Sequence, residues 1–97
     1  MTYMRLLLMN VRDAVAQQQI ERELSFIKHH LANEQGYQRA DVLSEDNGLQ
    51  VGLLTVWTSR EDASHFHDSG LNQLLMAVTE LRITGTPVTR LFRVVRE

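Results

Sequence analysis

The sequence predicts an α+β domain in which one four-stranded antiparallel sheet carries two helices on one face. Three observations predict it. Segments with strand-like and helix-like patterning follow one another in the order β-α-β-β-α-β. The tripeptide Asp46-Asn47-Gly48 separates two of the strand segments, and Asn-Gly tolerates the positive φ angles of a type I′ hairpin turn. Both helical segments open on a capping residue, Asp13 for the first and Thr58 or Ser59 for the second.

Tyr3 to Val11 reads as the first strand. Asp13 then starts a helix running to about Leu31, with Ile20, Leu24, Ile27 and Leu31 on one apolar stripe. Gln18, Glu21, Arg22 and Lys28 fill the opposite face. His29 and His30 stand in the last turn, where a cation suits the exposed carbonyls. Gly36 lies in a short loop, Tyr37 to Glu45 forms the second strand, and Leu49 to Trp57 returns as the third. Ser59-Arg60-Glu61-Asp62 fits a capping box, with Asp62 reaching back to a backbone N–H. Ser69-Gly70 interrupts the second helix after barely three turns. The following piece places Leu71, Leu74, Leu75, Val78 and Leu81 on one stripe. Gly85 ends it, and Pro87 leads into a last strand, Val88 to Val95. The order is that of the split β-α-β, ferredoxin-like plan, and right-handed crossovers leave few alternatives.

Composition bounds the function. A chain of 97 residues fits one domain spanning 1–97. Domains of this size bury only about 60–65% of the surface their unfolded chain exposes. There is no cysteine, which excludes disulfides, thiolate metal sites and cysteine nucleophiles. A net charge of -2 gives no basic field for nucleic acid. Leu6 to Met9 is the longest apolar run near the N-terminus, too short to span a membrane or to serve as a signal peptide. Cytoplasmic residence is expected.

The strands are apolar on both faces. Leu6 and Leu8 oppose Leu7, Met9 and Val11 in the first; Leu54 and Val56 oppose Val51, Leu53 and Trp57 in the third; Phe92 and Val94 oppose Leu91 and Val95 in the last. Two helices cover only one face of a sheet. The expected remedy is a homodimer with two sheets packed face to face.

Gly36-Tyr37 entering the second strand, Val56-Trp57 closing the third, and the run from there into Ser59-Arg60-Glu61-Asp62-Ala63 carry a resemblance that covers nearly the whole chain. The sequence resembles the antibiotic-biosynthesis-monooxygenase family of dimeric α+β barrels. The resemblance implies a pocket between sheet and helices. It also implies oxidation of an aromatic or phenolic small molecule by dioxygen with no cofactor and no metal. The substrate is deprotonated to an electron-rich anion in a dry pocket that stabilises the oxyanion. Asn10 and Trp57 match by strand position and Tyr37 by composition. Asn10 would hold the substrate oxygen, His65 or His67 would assist proton removal, and Trp57, Phe66 and Met76 would shape the pocket. Strands one and three run antiparallel, which puts Asn10 and Trp57 at opposite ends of the sheet.

Haem-degrading relatives carry an asparagine in strand one, a tryptophan in the second helix and a histidine about ten residues later. Asn10 fits, but Phe66 and Met76 hold the other two positions. A shifted alignment and haem held by His65 or His67 are the remaining routes on that branch. A reading from another class is a non-catalytic dimeric module that binds a small apolar ligand. The two separate on whether a histidine or a tyrosine hydroxyl reaches the cavity.

Each candidate also has a structural reading. His65 and His67 are two apart on a helix, so they diverge by roughly 200° and form no chelating pair. Glu61 and His65 share a face, but only as two ligands. A solvated helix surface accounts for both histidines, with Phe66 pointing inward. Asn10 can satisfy a loop carbonyl, Trp57 can fill the core or a dimer contact, and Tyr37 can be structural. Met4, Met9 and Met76 suit an adaptable apolar lining or the core. Arg90 and Arg96 share one face of the last strand and Arg93 takes the other, a spread suited to surface or inter-subunit pairing.

Overall fold

Residues of odd number in the first strand, β1 (Tyr3–Val11), turn toward the helices; Leu7, Met9 and Val11 among them are buried. The computed structural model describes residues 2–46 and 48–95. After β1 come α1 (Ala14–His30) with a short 3-10 turn (Leu31–Asn33), β2 (Tyr37–Ser44), β3 (Gln50–Trp57), α2 (Arg60–His67), α3 (Gly70–Thr79) and β4 (Ile83–Arg93). The sheet order is β2-β3-β1-β4 with every neighbouring pair antiparallel, the expected ferredoxin-like arrangement.

The Asp13 carboxylate accepts the Ala16 N–H at 2.8 Å and starts α1. Ile20, Leu24, Ile27 and Leu31 form the predicted stripe, each at most 1% exposed. They pack on Leu53, Val51, Ala40 and Met9 in one core. β2 and β3 form the expected hairpin, closed by Glu45 N–H donating to the Gln50 carbonyl at 2.8 Å. Asn47, on which the type I′ expectation falls, lies outside the described residues, as does Arg96.

Three local expectations are corrected. Ser59 caps α2 through the Asp62 N–H at 3.1 Å, but the Asp62 carboxylate accepts the Thr58 hydroxyl at 2.8 Å rather than a backbone N–H. The inward stripe of α3 is Asn72, Leu75 and Thr79, with Leu71 and Met76 partly buried against the core. Leu74, Val78 and Leu81 turn outward. Serine 69 caps α3 through the Asn72 N–H and starts a new helix, which fixes its phase independently of α2. Finally, β4 begins at Ile83 and runs through Gly85 and Pro87. Between Leu8 and Asn10 the register on β4 steps from Val88 to Thr84, a bulge that takes up Gly85 at φ 70°. β4 is an edge strand, where proline is tolerated.

The face away from the helices is largely apolar, broken by Arg90 of β4 opposite Leu6 and by Asn10 and Gln50 at one end. Leu6, Leu8 and Met4 of β1 share it with Leu54 and Val56 of β3, Leu43 of β2, and Val88 and Phe92 of β4. Phe92 is 50% exposed and Val88 40%. At the β2 margin Arg39 and Asp41 pair at 3.6 Å in solvent. No helix among the described residues is long and apolar enough to cross a membrane.

Candidate functional site

Arg5 has the parity of Leu7 and Met9, so the backbone carries a cation into the helix side of the sheet, where it is 3% exposed. There the guanidinium sits beneath α2. Its Nη2 donates to Nδ1 of His67 at 3.2 Å and, over a longer 3.5 Å, to Oδ1 of Asn72. Nε and Nη1 have no hydrogen-bond partner, and among the described residues no carboxylate pairs with Arg5. Burial lowers the pKa of Arg5 to about 10.

An aromatic row supports this cation. The Tyr37 ring meets Trp57 edge-on at 5.9 Å, Trp57 stacks on Phe66 at 5.3 Å, and Cζ of Arg5 lies 5.1 Å from the centre of the Phe66 ring. The Trp57 indole N–H donates to the Thr55 hydroxyl at 2.8 Å, so its polar edge is satisfied inside the core. A cation over a ring gains about 1 kcal/mol, which offsets part of the burial cost.

His67 ends α2 because the next residues restart the chain as α3. Asn72 fixes that junction: its amide nitrogen donates to the His67 carbonyl at 2.8 Å. Since a guanidinium can only donate, Nδ1 of His67 is the acceptor and the proton of the neutral ring is on Nε2. Arg5, Ala63, Ser64, His67, Thr89 and Leu91 line an open recess of about 110 Å³ between α2 and the β1–β4 side of the sheet, where Ser64, His67, Thr89 and Leu91 are exposed.

The sequence candidates are thus partly gathered. Tyr37, Trp57, Phe66 and His67 lie in one run of contacts ending at Arg5. His65 is exposed and lines no recess among those described. Asn10 is on the opposite face of the sheet, about 16 Å along β1 from Arg5, and its Oδ1 accepts from Gln50 at 3.3 Å. Met76 lines a separate groove of about 340 Å³ with Ala77, Glu80, Ile83 and Pro87. The largest depression, about 720 Å³ along Gln18, Glu21, Arg22, Ser25, Phe26 and His29, is bounded by α1 alone and is surface relief of that helix. Among the described residues no three His, Asp or Glu side chains converge as metal ligands. Arg5 and Asn72 were not singled out from sequence. The available signal was the parity of Arg5 with buried strand positions.

No family model matches the sequence, and no curated protein matches it significantly. Solved structures do. The chain superposes on Rv0793 from Mycobacterium tuberculosis with a TM-score of 0.84 at 14% identity, covering 100% of this chain and 98% of that one. A candidate antibiotic biosynthesis monooxygenase from Caulobacter crescentus matches with a TM-score of 0.82 at 18% identity, over 98% and 91% of the two chains. SnoaB, a cofactor-independent oxygenase from Streptomyces nogalater, matches with a TM-score of 0.79 at 16% identity, over 99% and 95%. At these identities the likeness speaks to architecture: the chain has the fold of the antibiotic-biosynthesis-monooxygenase proteins.

Proposed function

We propose that a chain with this fold and this recess is a cofactor-independent monooxygenase that oxidises a small aromatic or phenolic molecule with dioxygen, acting as a homodimer in the cytoplasm. One observation carries the reading: His67 reaches the recess between sheet and helices and has its Nδ1 beside the buried Arg5 cation. A substrate hydroxyl entering between them donates to Nδ1 while its oxygen accepts from Nη2. Transfer of that proton to Nδ1 leaves the substrate oxyanion against Arg5, whose positive charge favours it. The electron-rich anion gives one electron to dioxygen, and the two radicals combine at carbon as a peroxide. Loss of water from the hydroperoxide, with the proton returned from His67, leaves a ketone or quinone holding one oxygen atom. The cofactor-independent oxygenase SnoaB, on the same fold, supports this class of chemistry. In this scheme Arg5 takes the oxygen-holding role assigned from sequence to Asn10, which is too distant to share a small substrate with His67. Trp57, Phe66 and Tyr37 back the cation, while Met76 lines a separate groove and takes no part.

Oxygen uptake with a panel of anthrones and hydroquinones, under chelator, tests this. His67→Asn keeps an acceptor for Arg5 but cannot take a proton, and should lower kcat about 10²–10⁴-fold. His65→Ala should leave it unchanged. No uptake across the panel, or full activity of His67→Asn, refutes the assignment. A haem titration run in parallel covers the haem-binding branch.

The recess size favours a second reading. At about 110 Å³ it is below the ~300 Å³ at which ligand pockets usually begin. A non-catalytic module holding a compact ligand fits that volume without movement of α2. It predicts ligand binding with no oxygen uptake.

A further inference from the structure

Burying a cation without an anion is costly, and among the described residues no carboxylate pairs with Arg5. Nη2 uses its hydrogens on His67 and Asn72; the hydrogens of Nε and Nη1 have no acceptor. Either edge of the guanidinium that a planar anion can grip includes one of these unpartnered nitrogens. A second copy of the chain packed on the open face of the sheet leaves this unchanged, because Arg5 is on the helix side. Among the described residues the recess beside it is lined by no acidic side chain, and the hydroxyls of the exposed Ser64 and Thr89 on its wall make no hydrogen bond. Ala63 and Leu91 supply the apolar remainder.

We infer that this recess is an oxyanion site, and that its occupant is a small molecule bearing a carboxylate held by Arg5. The inference takes the recess to be the substrate pocket of the oxygenase reading, and narrows the substrate class from phenols in general to aromatic acids. The carboxylate oxygens accept from the Arg5 guanidinium at the recess wall and from the Thr89 hydroxyl. The ring leaves through the mouth of the recess, past Ser64 and His67.

Calorimetric titration with benzoate and with benzamide, its neutral counterpart of similar shape, tests the site without requiring turnover. Benzoate is expected to bind, and benzamide about ten-fold or more weakly. Arg5→Met should lose benzoate binding by about ten-fold or more while its circular dichroism matches the parent, and Arg5→Lys should fall between. Equal affinity for benzoate and benzamide, undiminished binding by Arg5→Met, or no benzoate binding up to about 20 mM overturns the inference. Benzoate binding without oxygen uptake on any substrate supports this site and removes the oxygenase reading. Oxygen uptake by the parent on phenols that lack a carboxylate, with no benzoate binding, does the reverse.

Discussion

Replacing Arg5 by methionine should make the unliganded protein more stable. The lowering of the Arg5 pKa to about 10 corresponds to about 3 kcal/mol of unfavourable burial. Against it stand two long hydrogen bonds from Nη2, at 3.2 and 3.5 Å, and the contact with Phe66, together about 1–2 kcal/mol. Methionine has similar length, fills the space over Phe66 and brings no charge, so the net gain is about 1–2 kcal/mol. For a domain of this size that raises Tm by roughly 5–15 °C. Differential scanning calorimetry of the two proteins, both free of added anions, measures it. The pH dependence has a definite sign. The folded pKa lies below the unfolded one, so the penalty is fully present below about pH 10 and is relieved as pH rises through it. The advantage of Arg5→Met should therefore be flat at neutral pH and shrink above about pH 10. A variant with a lower Tm than the parent refutes the reasoning: the guanidinium would then be compensated in the resting protein and would need no ligand.

Gly36 has φ 77° and its Cα faces the Asp62 side chain, so a methyl group there meets both a strained backbone and that carboxylate. Gly36→Ala should cost about 2–4 kcal/mol in urea denaturation, and a loss under 1 kcal/mol would show that the loop relaxes freely. On the open sheet face, Leu54→Lys should turn a homodimer into a monomer in sedimentation runs at about 10 μM. A parent that already sediments as a monomer at that concentration sinks the face-to-face assembly.

The parts of the fold that were legible are those governed by a single local rule. Ile20, Leu24, Ile27 and Leu31 obey one helical period over three turns, and Asp13 caps them with its own carboxylate. α3 is apolar nearly all round its ten residues, so the leucines alone did not reveal which side faces in; tertiary packing chose Leu75 and Thr79. Gly85 and Pro87 read locally as a loop, and only the pairing of Thr84 and Val88 on either side of them with β1 makes them a bulge within a strand. The site is split in the same way. Phe66 was legible as the inward residue of α2, and His67 as one of two surface histidines. What selects His67 is Arg5, 62 positions away, reached only once β1 lies under α2. A charged residue at a buried parity in an apolar strand was the clue, and its meaning depended on the absence of a nearby carboxylate, which no pattern in one strand discloses.

The bulge in β4 has a consequence for how copies of this chain meet. A sheet edge invites another backbone to zip onto it, and such growth needs evenly spaced donors and acceptors. Around Gly85 and Pro87 the spacing breaks and one donor is missing altogether. A foreign strand arriving at β4 finds no continuous template, whereas Leu6, Leu54 and Phe92 offer side chains without requiring register. The kink thus works against open-ended growth of the sheet through this edge.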